Sequence, residues 1–205
     1  MKFAVFALIL LSSGLAGAQQ TKPGNETACP DTVSSTGKYV NYSYGFTVVI
    51  PNNLKGFWNS AICVSAADGC TCMSDHGRII PLSAAPYEPE RHIKVHAGYA
   101  ADLDDPTVQQ EVDKHVDWVR ERSRGNSVTI LSQSNLGLGG LKARRAVVRY
   151  FDKKLNAWMI EDVVEALRGR DIEYSVYLRT REEVYKQDVH VFESVVSSFR
   201  LGKHE

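Results

Sequence analysis

The sequence predicts an α+β fold in which an antiparallel sheet packs with helices, and three observations point to it. Strand-like patterns follow one another from Ala143 to Arg179 with connections of only a few residues, the spacing of an antiparallel meander. Val108, Val112, Val116 and Val119 recur at helical spacing. Phe192, Val195, Val196 and Phe199 do the same near the C-terminus.

Taken in chain order, residues 19–38 carry Pro23, Gly24 and Pro30 among Ser, Thr and Asn without an apolar period, and read as an extended arm. Tyr44 to Ile50 is a strand with Phe46, Val48 and Ile50 on one face, stopped by Pro51-Asn52-Asn53. Trp58 is expected in the following loop, plugging the core. Between Ile62 and Ser83 the glycines, Pro81 and three cysteines break any period, so a Cys-containing insert is expected at about 62–83, with a short strand over Arg78 to Leu82. Arg91 to Tyr99 alternates, with Ile93, Val95 and Ala97 opposite His92, Lys94 and His96. Asp104-Asp105-Pro106 supplies a helix start, His115 lies on the valine stripe, and Gly125 is placed to end the helix. Strands are then expected at Val128–Ser132, Ala143–Phe151, Ala157–Leu167 and Ile172–Arg179, with Asp152–Asn156 and Arg168–Asp171 as hairpin joints. Thr180 with Glu183 reads as a capping box opening the final helix.

At 205 residues the chain suits one α+β domain, assigned to residues 39–205. Lys2, the apolar run Phe3 to Leu11 and the small residues Ala16-Gly17-Ala18 have the three-part form of a secretory signal over residues 1–18, with Gln19 as the mature N-terminus. The run is shorter than the roughly 20 residues that span a bilayer, so an uncleaved anchor is the lesser reading and no stable membrane insertion follows cleavage. The first cysteine, Cys29, stands away from the cleavage point, which argues against a lipid-modified terminus. Basic and acidic residues balance at 24 each, which excludes a general nucleic-acid or anionic-membrane surface.

The stretch from Gly139-Gly140-Leu141-Lys142-Ala143-Arg144 through three strands to Phe192-Glu193-Ser194-Val195-Val196-Ser197-Ser198-Phe199-Arg200, together with the Tyr44-Gly45-Phe46 strand ending in Pro51, resembles the Mog1/PsbP-like family. The resemblance implies an antiparallel sheet sandwiched between helices (α/β/α), usually in a non-enzymatic binding or assembly protein. The family's members do unrelated jobs, so fold transfers and function does not. The segment from Ile62 to Ser83 is not part of the pattern, and no residue role is carried over.

Cys63, Cys70, Cys72 and His76 could supply a Cys3His metal site, since thiolates and imidazole suit zinc or copper. With Cys29 the cysteine count is four, an even number in an exported chain, and two disulfides are the preferred reading. A Cys70–Cys72 bridge would close a very tight ring, so Cys29 is expected to join one of these and Cys63 the other. His92 and His96, with Asp75 and His76 nearby, could form a second metal or proton-handling site, although a solvated strand face explains them as well. His115 reads as a boundary histidine with one nitrogen bonded. Gly137, Gly139 and Gly140 read as turn residues, because Lys142 stands where a third phosphate-loop glycine would be. Ser74-Asp75-His76 has the residue types of a hydrolase triad, but adjacent residues do not make one and no nucleophile elbow is present. Arg144, Arg145 and Arg149 are expected to face Glu161, Asp162 and Glu165 as cross-strand pairs on a solvated face, with a partner-binding surface as the sharper alternative. Asn25 and Asn41 are glycosylation acceptors only in a eukaryotic source.

The function these features suggest is an exported, periplasmic or secreted, non-enzymatic binding or accessory protein of the cell envelope. It would act through a protein partner, in assembly or immunity, without catalytic residues or a cofactor. The alternative is a metal-binding or redox protein using Cys63, Cys70, Cys72 and His76. An enzyme built on His76, His92 and His96 would need these groups to meet in a cleft.

Overall fold

The computed structural model describes residues 33–66, 69–81, 90–100, 105–124 and 127–202, and for residues 33–35, 59–66 and 69–76 it describes the backbone alone. In chain order the elements are β1 (Val33–Ser35), β2 (Gly37–Asn41), β3 (Phe46–Ile50), β4 (Leu54–Ala66), β5 (Gly69–Pro81), β6 (His92–Tyr99), α1 (Val108–Arg122), β7 (Val128–Leu138), β8 (Leu141–Asp152), β9 (Ala157–Arg168), β10 (Ile172–Arg181), a 3-10 turn (Glu182–Val184), α2 (Tyr185–Ser198) and β11 (Arg200–Leu201). Eight strands form one sheet in the order β1-β4-β5-β6-β10-β9-β8-β7, and β11-β3-β2 form a second, smaller one.

Period-two alternation sorts the large sheet's side chains between two layers. On one face, Ile93, Val95, Ala97, Val164, Tyr174, Val176 and Leu178 meet Phe46, Val48 and Ile50 of β3 and Phe192, Val195 and Phe199. Phe46 and Phe199 stack with centroids 5.3 Å apart. On the other face, the Val112, Val116 and Val119 stripe of α1 covers Ala146, Val148, Tyr150, Met159, Val163 and Tyr177. The fold is therefore α+β, with the large sheet held between α1 on one side and α2 with the small sheet on the other.

Several local expectations change. Trp58 is not in a loop, and the segment expected to be an irregular insert is a long hairpin: β4 and β5 pair from Leu54↔Pro81 to Ala66↔Gly69, because ladder hydrogen bonds hold a strand whose apolar period is broken. Helix α1 is capped by Thr107 in a reciprocal box with Gln110, not by the aspartates before Pro106. It ends at Ser123, with Arg124 in the left-handed region at φ 52°, and Gly125 lies outside the described residues. Thr180 does not cap α2. It stays in β10 and its hydroxyl donates to buried Asp188 at 2.5 Å, while Arg91 Nε donates to the same carboxylate at 2.7 Å.

The arginine face is also revised. Arg144 lies opposite Glu165 in register but donates to Gln133 (2.8 Å), Arg145 grips Asp162 (2.6 and 2.7 Å), and Arg149 grips Glu182 (2.8 and 2.9 Å). Neighbours along a strand point to opposite sides, so the three cannot share one face. Their expected partners are not solvated: Glu161, Asp162 and Glu165 are 0 %, 0 % and 5 % exposed, since β9 is covered on both sides.

Glycine is required at position 77 by close approach. Trp58 lies flat across β5 there, its ring stacked on Tyr39 at 3.5 Å, and a Cβ at Gly77 would fall 2.1 Å from Trp58 Cε3. Gly77→Ala must push Trp58 out of the core, and chemical denaturation should show a loss of roughly 1–3 kcal/mol; an unchanged midpoint would mean that Trp58 does not pack there.

A carboxylate and histidine cleft beneath helix α1

The valine stripe of α1 packs over β8 and β9, while Glu111, Lys114, His115 and Trp118, at three- and four-residue intervals, overhang β10 and β6. Beneath them the register sets Lys94 beside Tyr177 and His96 beside Ser175, with Glu165 next to Ser175 on β9. These groups line an open cleft of about 390 Å³, which also includes Glu173.

Its polar groups are tied together. His115 Nε2 is 3.1 Å from Glu161 Oε2, the one hydrogen bond expected of this boundary ring, while its Nδ1 lies 3.7 Å from Glu165 Oε1, beyond hydrogen-bond distance. Its ring meets Tyr177 and Trp118 edge to face at 5.0 and 5.5 Å. Glu161 also accepts from Tyr150 Oη at 3.0 Å and from Arg122, with Arg179 Nε at 3.7 Å. Burial pushes the Glu161 carboxyl up, but the hydrogen bond from His115 and the charges of Arg122 and Arg179 outweigh it and hold the pKa at about 2. Glu165 has no guanidinium against it, and the charge of Lys114 lowers its pKa less than its surroundings raise it. Burial, with the charges of Glu173 and Glu111, raises it well above the usual carboxylate range against the Ser175 hydroxyl, which donates at 2.8 Å.

At the outer end, Lys114 Nζ lies 3.0 Å from Glu111 Oε2 and 4.0 Å from Glu173 Oε2, and His96 Nε2 lies 3.0 Å from Glu173 Oε1. Burial and the neighbouring Glu173 raise Glu111; at Glu173 the bond to His96 outweighs burial and lowers it. At the inner end, Lys94 Nζ sits 5.8 Å from the centroid of the Tyr177 ring. Burial and the charge of Arg78, its neighbour in the β5–β6 ladder, lower its pKa.

Of the residues singled out from sequence, His96, His115 and Glu165 reach this cleft. His92 shares their face of the sheet but lines a separate cavity of about 160 Å³ beside Arg91 and Asp188. His76 stands opposite His96 in the ladder, and Asp75 opposite Ala97. Cys63 stands directly opposite Cys72, and Cys70 opposite Ser65. For these cysteines and for Ser74, Asp75 and His76 the description extends to the backbone alone, and Cys29 and residues 1–18 lie outside the described residues. No group of three or more metal-ligating side chains is disposed to hold an ion among the described residues. The glycines at 139 and 140 are turn residues, at φ 59° and 94°. Sequence reasoning missed Lys94, Glu111, Trp118, Glu165 and Glu173 as a group. The available signal was Glu161, Asp162 and Glu165 inside an otherwise apolar strand.

No protein-family model matches the chain, and no curated protein matches it in sequence. Solved structures do. The cyanobacterial PsbP (CyanoP) of Synechocystis superposes with a TM-score of 0.55 at 16 % identity, covering 90 % of this chain and 99 % of that one. The Ran-binding protein Mog1p of Saccharomyces cerevisiae superposes with a TM-score of 0.50 at 12 % identity, covering 82 % and 96 %. The order of strands, the two helix layers and these likenesses agree with the resemblance carried by the C-terminal strands: the chain has the Mog1/PsbP-like fold.

Proposed function

We propose that this protein is an exported, non-enzymatic binding protein of the cell envelope that holds a protein partner at the cleft beneath α1. One observation carries the reading: the cleft is open and walled by aromatic rings, yet its acids are already engaged. Glu161 is shared among His115, Arg122 and Tyr150, Glu173 is held by His96, and Glu111 by Lys114. Trp118, by contrast, is 42 % exposed with the Arg122 guanidinium 4.1 Å from its ring centroid. Tryptophan and arginine are the residue types that anchor protein interfaces. Trp158, 37 % exposed under Arg149 at 3.6 Å, repeats the pairing elsewhere on the surface. That Mog1p, of the same fold, is a Ran-binding protein supports a partner-binding use without identifying the partner.

Export rests on the signal-like residues 1–18 and on the cysteines. Among the described residues no helix is long and apolar enough to cross a membrane. Facing residues of an antiparallel pair have Cα atoms about 4.5–5.5 Å apart, inside the disulfide range. The Cys63–Cys72 register therefore supports that bridge and leaves Cys29 for Cys70. The metal reading is weaker, since four residues of extended strand separate His76 from Cys72 by roughly 13 Å.

Three results are expected. Mass spectrometry of the protein exported by its native source should find a chain starting at Gln19, with Cys63–Cys72 and Cys29–Cys70 linkages and no metal adduct; a zinc adduct lost on chelation would revive the Cys63 to His76 site. Affinity capture with the full chain in the native source should enrich one stoichiometric partner, and Trp118→Ala should reduce it at least about 10-fold. Capture that no Trp118 substitution weakens would sink the cleft as the docking surface. Finally, the raised Glu165 contributes stability below its unfolded-state pKa of about 4.3 that is lost as pH rises through its folded value. Glu165→Gln keeps an acceptor for Ser175 but cannot ionise, so its Tm should match that of the parent in acid and exceed it at alkaline pH. A constant difference across the range would show that Glu165 is not held protonated.

A further inference from the structure

Counting charges in the cleft leaves one group over. Glu111 lies against Lys114, Glu173 against His96 and Lys114, and Glu161 against Arg122, while burial raises the pKa of Glu165 beside Ser175. Lys94 lines the same space between Arg78 and Tyr177, and among the described residues no carboxylate lies within ion-pair distance of its ammonium; the Tyr177 ring is its neighbour. A cation taken out of water without a counter-ion costs stability unless something supplies the charge. It sits at the inner end of an open cleft, where a ligand can reach it.

We propose that the cleft is a carboxylate-binding site in which Lys94 receives the carboxylate and Trp118 and Tyr177 flank the attached apolar group. The ligand's charge follows from the surroundings. Glu111 and Glu173 at the outer end would repel a dianion such as a phosphate monoester, whereas a monoanion satisfies the single unmatched charge. Burial raises the pKa of Glu165, which favours its protonated form over a third negative charge beside the ligand. Trp118 and Tyr177 form an edge-to-face aromatic pair with centroids 6.2 Å apart, and an apolar or aromatic side chain beside the carboxylate packs onto the exposed surface of this pair, most of it Trp118. This rests on the partner-binding reading and gives it a chemistry: the partner inserts a C-terminal carboxylate or an acidic side chain set among apolar neighbours.

The test is calorimetric titration of the full chain with N-acetylphenylalanine, its C-terminal amide, and a short peptide ending in a free phenylalanine carboxylate or the corresponding amide. The carboxylates should bind, the small one with a Kd on the order of 1 mM or tighter, and the amides should not. Lys94→Gln should weaken binding about 10-fold or more while Lys94→Arg, which keeps the charge, stays within about 3-fold of the parent. Tighter binding of the peptide than of N-acetylphenylalanine places the carboxylate on a protein partner; equal binding places it on a free organic acid. Absence of carboxylate binding, amides that bind as well as acids, or a folded Lys94→Gln protein that binds like the parent would each overturn the proposal. Capture of a protein partner that depends on Trp118 but not on Lys94 would remove the carboxylate assignment and leave the docking surface standing.

Discussion

Strand β9, third from one edge of the large sheet, has both faces covered, and it carries three buried carboxyl groups. An unpaired buried carboxylate costs several kcal/mol, so each group must either find positive charge or stay protonated. Much of the architecture follows from how this is met. Asp162 points to the α2 layer, where Arg145 grips it and Tyr185, the first residue of α2, donates at 2.7 Å. Arg145 also reaches Glu193 two turns further on, so one acid helps fix where α2 starts and how it lies. Glu161 points to the α1 layer and draws in His115 and Arg122, about two helical turns apart on one face, which fixes the rotation of α1 about its axis.

The same requirement opens the cleft. A helix packed by apolar contact alone would lie flush on the sheet, and over β8 and β9 the valine stripe does so. Toward β10 and β6 the sheet presents Ser175, Glu165, His96, Lys94 and Glu173, and the helix presents Glu111, Lys114 and His115. Polar groups at hydrogen-bond distance do not interdigitate as methyl groups do, so space is left between them. Glu165 meets burial differently: it has no guanidinium against it as Glu161 has Arg122, and its pKa is raised instead of lowered.

The meander, both helices and the alternation of β3, β6 and β10 were legible because burial on one face writes period two or 3.6 into the sequence. Helix starts were misread for local reasons. Asp104-Asp105 has the right residue types, but Thr107 has the reciprocal partner in Gln110. Thr180 is drawn into the sheet by Asp188 instead of capping a helix. The β4–β5 hairpin was illegible because it is held by its ladder and not by an apolar face. The cleft was half legible. Alternation placed His92, Lys94 and His96 on one side of β6, but which of them share a site depends on the strand that lies alongside, and β10 was not identifiable as the neighbour of β6 without topology. Acids within apolar β9 read as a solvated face because sequence patterning treats a charge as a surface mark.

Fold and site occupy different layers of this molecule. The elements that carry the resemblance, β3, the β8–β10 meander and the Phe192 to Phe199 stripe, build the apolar layer between the large sheet and α2 with the small sheet. The cleft lies on the opposite face, where α1 covers β8 and β9 with its valines and is held in rotation by His115 and Arg122 on Glu161. Glu111, Lys114 and Trp118, which overhang β10 and β6, can vary without disturbing the layer that defines the fold, and a shared fold at 12–16 % identity constrains the chemistry of the α1 face very little. What this chain has placed there is an aromatic-walled cleft whose acids are paired or neutral and whose inner lysine is not matched. Such an arrangement offers the Lys94 ammonium to whatever enters the cleft.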